Sequence, residues 1–236
     1  MNKRKKVIRF LLIILLVAAL AVSGYYIWRE MYSRALEKKA FEKISEIVDD
    51  GSSGRNIAAL IAQNSDCIGW ISIPDTTLDY PVMHTPEKPQ KYLRLGFNEK
   101  YSFSGVPFLD ARCSLQSDNL ILYGHNLKND TMFSSLAGYA QVSYSKKHPQ
   151  IEFETAAGNT LYSVFAVVQV DENDEWYNFV DFPKSADFDE KISTLSERAL
   201  YTTDIIPQFN QQLLTLSTCY GSQKNDRLIV VAVKNN

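Results

Sequence analysis

The chain has 236 residues, 45% hydrophobic and 22% charged, which fits one larger globular domain with an accessory segment. A net charge of −2 and a pI near 6.0 offer no basic face to a nucleic-acid partner. Three cysteines (Cys67, Cys113 and Cys219) without CxxC spacing argue against a disulfide framework and a zinc site, and no cofactor is expected.

Residues 1–9 form a basic flank, with Lys3, Arg4, Lys5, Lys6 and Arg9 ahead of the uncharged run FLLIILLVAALAVSGYYI. Residues 10–28 are long enough to cross a bilayer as a helix, and Tyr25, Tyr26 and Trp28 at the far end suit a membrane interface. The basic flank predicts a cytoplasmic N-terminus and an exported remainder. Ala19-Leu20-Ala21 also resembles a signal-peptide cleavage site, but the apolar run continues past it, which favours an uncleaved anchor. An unpaired cysteine in an oxidising compartment calls for a function.

Residues 29–65 read as stalk and N-terminal helices. Met31, Ala35, Leu36, Phe41, Ile44, Ile47 and Val48 recur at helical steps, opposite a charged face. Asp49-Asp50-Gly51-Ser52-Ser53-Gly54 predicts a stop, followed by a short helix over 56–63.

Residues 66–236 change to short β segments at 70–73, 78–83, 106–109, 120–123, 151–155, 161–170, 212–218 and 228–233. Each is bounded by turn residues, and eight of them in one domain predict a closed barrel or a sandwich. The fifth and sixth form a hairpin across Ala156-Ala157-Gly158-Asn159-Thr160. A connection of about forty residues follows the sixth, too long to lack structure. Its second half, 187–200, predicts a helix with Phe188, Ile192, Leu195 and Ala199 on one side. Its first half, Asp171-Glu172-Asn173-Asp174-Glu175, reads as a solvated acidic loop without a calcium-binding pattern.

Cys219 ends the strand QLLTLST, and Arg227 opens the apolar strand RLIVVAVK. Antiparallel pairing would bring the two together, and a cation favours the thiolate. Cysteine chemistry also calls for a histidine. His148 sits in Lys146-Lys147-His148-Pro149, a solvated turn by composition, and His84 reads as a loop residue. His125 follows the strand NLILYG, a strand-end placement like that of Cys219. Spacing alone leaves Cys219 open between a small buried hydrophobe and a nucleophile. Cys67 and Cys113 read as structural.

Thr215-Leu216-Ser217-Thr218-Cys219 followed by Arg227 resembles the TLxTC…R signature of sortases, Gram-positive cysteine transpeptidases. LILYGHN resembles their histidine strand. DCIGWISIPDTTLDYPVM, SGVPFLDARC and LILYGHNLKNDTMFSSL are similar to the class B branch. The resemblance covers roughly 56–234 and implies a mainly β fold, an eight-stranded sortase barrel with an N-terminal helical extension and a helix inserted before the last strand pair. It implies Cys219 as nucleophile, His125 as general acid/base, Arg227 for the oxyanion or substrate, and Tyr123 and Ser217 in the substrate groove. The implied partners are exported proteins bearing a sorting motif, a peptidoglycan precursor amine and the lipid bilayer.

His84-Thr85-Pro86-Glu87-Lys88-Pro89-Gln90 departs from the usual class B pattern, which bears on motif preference. A papain-like peptidase would place its cysteine early, on a helix, ahead of its histidine, and the order here is the reverse. A pilus-type sortase, marked by an Asp-Pro-aromatic lid and a C-terminal span, and a catalytically silent tethered binding module are the remaining alternatives.

Overall fold

A computed structural model describes residues 3–48, 55–127 and 130–235. The chain divides into two units between Lys43 and Ile44. One helix, α1 (Lys3–Val48), runs across that boundary. Within it Val7–Arg29 is long and apolar enough to cross a membrane, with mean hydropathy 2.6. The expected stop at Asp49–Gly54 lies outside the described residues.

In the second unit, Ile44 and Val48 are buried, one helical turn apart at the end of α1. Helix α2 (Ile57–Gln63) starts where Asn56 caps it, the side chain accepting from the Ala59 N–H at 3.0 Å. Its Ile57 and Leu60 join the core.

Eight strands close into a barrel in the order β1-β2-β3-β4-β7-β8-β6-β5, with β5 returning to β1. They are β1 (Cys67–Ser72), β2 (Asp79–Met83), β3 (Phe108–Leu109), β4 (Asn119–Tyr123), β5 (Gln150–Thr155), β6 (Gly158–Asp171), β7 (Leu213–Cys219) and β8 (Asp226–Lys234). Closure removes the unpaired edges a flat sheet would expose. Trp70, Ile71, Phe153, Leu122, Leu216 and Val230 fill the buried positions. Helix α3 (Val142–Lys147) precedes β5, and α4 (Ser185–Glu197) is the helix expected before the last strand pair. Phe188, Ile192 and Leu195 of α4 are buried, as their helical spacing predicts.

Three details differ from expectation. The β5–β6 loop is only Ala156-Ala157, because Gly158 at φ +122° already pairs with Thr155. Strand β3 is two residues long, since Val106 N–H leaves the ladder to donate to the Tyr92 carbonyl at 3.1 Å. His148, expected in a solvated turn, is buried. Its Nδ1 donates to the Pro74 carbonyl at 3.0 Å, and its ring lies 4.4 Å from that of Tyr144. The neighbouring lysines at the end of α3 stay exposed and made the segment look wet.

Candidate active site

The direction of pairing gathers three strand ends. β4 and β7 run parallel with Tyr123 opposite Ser217, so both leave the sheet at the same end. Two residues beyond that pair stand His125 and Cys219. β8 runs antiparallel to β7 and begins at this end, with Arg227 directly opposite Cys219. Opposed residues of a ladder share a face, and alternation along β7 puts Ser217 on it too. One cleft of about 590 Å³ is lined by Tyr123, His125, Ser217, Cys219 and Arg227, together with Leu93, Asp110, Glu172 and Tyr177.

Cross-links continue the parallel pair past its last rung. Gly124 N–H donates to the Ser217 carbonyl at 3.2 Å, and the Thr218 hydroxyl donates to the Gly124 carbonyl at 2.7 Å. Asn126 Nδ2 donates to the Cys219 carbonyl at 2.9 Å. The residue before Cys219 and the residue after His125 thus each hold the opposing chain. A Cβ at Gly124 would come within 2.5 Å of the Phe133 ring, so only glycine lets the chain pass here.

Asn126→Ala removes one hydrogen bond, worth about 0.5–1.5 kcal/mol of stability. A reacting group displaced by roughly 1 Å can lose about 10²-fold in rate. The variant is therefore expected to lose about tenfold or more in kcat while its thermal midpoint falls by only a few degrees. Parallel transfer assays and melting curves check this, and unchanged kcat would remove the tether from the account.

Cys219 is exposed, whereas Cys67 and Cys113 are buried. Burial pushes the thiols of Cys67 and Cys113 up to about 11, which keeps them protonated and inert. His125 is half-buried, and its Nε2 lies 3.1 Å from the Leu93 carbonyl. A carbonyl can only accept, so Nε2 carries the proton and Nδ1 keeps a lone pair. Burial lowers the His125 pKa, the Leu93 hydrogen bond opposes that, and Arg94 adds to the lowering. The net shift leaves the imidazole neutral at pH 7.

Arg227 is held on two sides. Its Nη1 donates to the carbonyls of Lys224 (2.9 Å) and Asp226 (3.0 Å), and its Nη2 donates to Glu172 Oε2 at 2.6 Å. The Glu172 carboxylate therefore holds the guanidinium of the residue that stands opposite Cys219 in the ladder.

The far wall is a polar network behind two rings. Tyr123 donates its hydroxyl to Asp110 Oδ2 at 2.8 Å, and Arg112 grips the same carboxylate through Nε at 2.9 Å and Nη2 at 2.8 Å. Arg112 Nη2 also donates to the Tyr177 carbonyl at 2.8 Å. The Tyr177 hydroxyl shares a hydrogen bond with Ser217 Oγ at 2.8 Å, and the Tyr123 and Tyr177 rings are 6.0 Å apart. Ser217 therefore faces the cleft with its hydroxyl already engaged.

Burial would raise the Asp110 carboxyl, but hydrogen bonds from Arg112 and Tyr123 outweigh it and hold the group below its usual value. A carboxyl depressed on folding stabilises the fold above its unfolded pKa of about 3.9. That contribution is lost as pH falls through the lower folded value. Asp110→Asn is expected to lower stability at pH 7 and to flatten the loss below about pH 4. Thermal melts across that range check it, and parallel curves for the two proteins would contradict it.

Five residues of this network and its surroundings are not singled out by the sequence. Asp110 and Arg112 carry a usable signal, an acid and a base two apart in LDAR at a strand end. Tyr177 lies in a one-turn 3₁₀ helix, Glu175–Asn178, too short to carry a period. Glu172 and Asp174 belong to the run expected to be solvated. Instead Glu172 pairs with Arg227, and Asp174 caps the 3₁₀ helix and pairs with Arg198.

The chain matches the Sortase domain family over residues 71–235. It is 30% identical to Sortase B of Staphylococcus aureus (strain NCTC 8325 / PS 47) over 236 residues, covering 95% of this chain and 96% of that one. A Staphylococcus aureus sortase B–substrate complex superposes with a TM-score of 0.77 at 28% identity, over 88% of this chain and 98% of that chain. A sortase B complexed with triglycine superposes with a TM-score of 0.76 at 27% identity, over 88% and 99%.

Proposed function

This chain belongs to the sortase family, in its class B branch, and is a cysteine transpeptidase; from that premise we propose that it cleaves a C-terminal sorting motif of exported proteins through a Cys219 thioacyl intermediate and passes the acyl group to a peptidoglycan amine. The observation that carries this reading is the meeting of His125, Cys219 and Arg227 from three strands in one cleft.

Cys219 Sγ attacks the scissile carbonyl carbon, and the carbonyl electron pair moves onto oxygen. The thiol proton goes to His125, which delivers it to the leaving amine as the C–N bond breaks. The acyl group stays on sulfur as a thioester. An incoming amine then gives a proton to His125 and attacks the same carbon, and the C–S bond breaks to restore the thiol. Arg227 keeps its charge throughout, and its uncommitted N–H donors hold the oxygen's negative charge at each tetrahedral stage. Tyr123 and Ser217 line the groove that receives the motif.

The sortase B–substrate complex supports a peptide occupant for this cleft, and the triglycine complex supports an acceptor with a free amino end. The apolar segment Val7–Arg29 and its basic flank support a single membrane anchor, N-terminus in the cytoplasm and residues 66–236 outside as the catalytic domain. The test is to incubate the chain with a set of sorting-motif peptides, with and without an amine. An amide product that needs both the amine and one motif supports transpeptidation. Simple hydrolysis that no amine diverts would overturn it.

A further inference from the structure

Arg227 carries five N–H donors in a rigid fork, and the structure commits part of that fork within the protein itself. The Lys224 and Asp226 carbonyls take Nη1, and Glu172 Oε2 takes Nη2 at 2.6 Å. Pairing explains why Glu172 reaches it. In the β6–β8 ladder, Val170 stands opposite Arg227 and Asp171 opposite Asp226, and Glu172 N–H extends the contact to the Asn225 carbonyl at 2.9 Å. Alternate residues of a strand share a face, so Glu172 lies on the face of Val170, diagonal to Arg227 and within reach of two long side chains. On the other side of Arg227, directly opposite it on β7, is Cys219. The guanidinium therefore stands between the nucleophile's strand and the carboxylate, and all three residues line the cleft.

We propose that Glu172 is the positioning residue for Arg227: its carboxylate and the two carbonyls fix the guanidinium so that Nε–H and the second Nη2–H face the oxygen of the tetrahedral intermediate. The inference rests on the role proposed above for Arg227. The ion pair lies at the cleft wall, with Glu172 39% and Arg227 20% exposed, where such pairs add little to folding. Its effect belongs in the rate. Donors aligned before the reaction act on the transition state more than on bound substrate, so the loss should fall on kcat and leave KM nearly unchanged.

The test uses the full chain in detergent, with single-turnover acylation and steady-state transfer measured for Glu172→Ala, Glu172→Gln, Arg227→Ala and the double variant Glu172→Ala/Arg227→Ala. Glu172→Ala is expected to lose about tenfold in kcat at near-constant KM, with its melting curve unchanged. Glu172→Gln keeps an acceptor oxygen and should recover to within about threefold of wild type. The double variant should be no slower than Arg227→Ala alone, because a positioning group has nothing left to position.

Wild-type kcat in Glu172→Ala, or losses that multiply in the double variant, would overturn the proposal. If Glu172→Ala does not fold, the same cycle is built with Glu172→Leu, which keeps the bulk of the side chain and offers no acceptor to the guanidinium. The two levels fail differently. Full activity in Arg227→Ala sinks the role of Arg227 and the positioning role with it. An impaired Arg227→Ala beside an unimpaired Glu172→Ala sinks the positioning role alone.

Discussion

Cys219→Ala is expected to abolish both acyl-enzyme formation and transfer, a loss on the order of 10⁶-fold, as when a catalytic nucleophile is removed. The folded chain should be otherwise intact, because the Cys219 side chain is exposed and such substitutions shift stability by only about ±0.5 kcal/mol. Cys113→Ala provides the contrast. That thiol is buried and donates to the Asn119 carbonyl at 3.4 Å, so its loss should cost stability and leave turnover in place. Mass spectrometry of the peptide product and thermal melts of the two variants separate these outcomes. Residual transfer in Cys219→Ala would move the nucleophile elsewhere.

The second large effect is at His125. Removing a positioned acid–base group costs about 10²–10⁴-fold, and His125→Ala should lose within that range in both acylation and transfer, since the imidazole handles a proton in each. The pH profile carries a sharper signature. Activity needs one proton shared between Cys219 and His125, so the acid side of kcat/KM reports protonation of His125. Its pKa is lowered by burial in the folded chain, so activity should persist below pH 6.5 before it falls. An acid limb above pH 6.5, or a limb unaltered in His125→Ala, would take the proton-transfer role from this residue.

Much of this site was legible in the sequence because its parts lie at strand ends. LILYG and QLLTLST alternate or run apolar between polar loops, so the terminal residues His125 and Cys219 could be placed without knowing the barrel. RLIVVAVK reads as a strand buried on both faces, and it is. The parallel pairing of β4 with β7 was not legible. It joins residues some ninety apart, and nothing local to either strand announces its partner.

The same limit hid Glu172, whose role depends on a β6–β8 register that leaves no trace in Asp-Glu-Asn-Asp-Glu. Composition misled at His148 for the opposite reason. Two exposed lysines outweighed one inward-turned ring. Tyr177 was invisible because a single 3₁₀ turn has no periodicity to read, although its hydroxyl reaches Ser217 across about forty residues of chain.

Transfer through this site requires that a covalent acyl group be carried by one particular sulfur, Cys219 Sγ. The most direct measurement is to trap the chain with a reactive sorting-motif peptide in the absence of amine and locate the added mass by peptide mapping. A thioester is expected on the peptide containing Cys219, and it should disappear when an amine is added, as the amide product forms. Added mass on Cys67 or Cys113, or product formed with no acyl-enzyme on Cys219, would contradict it.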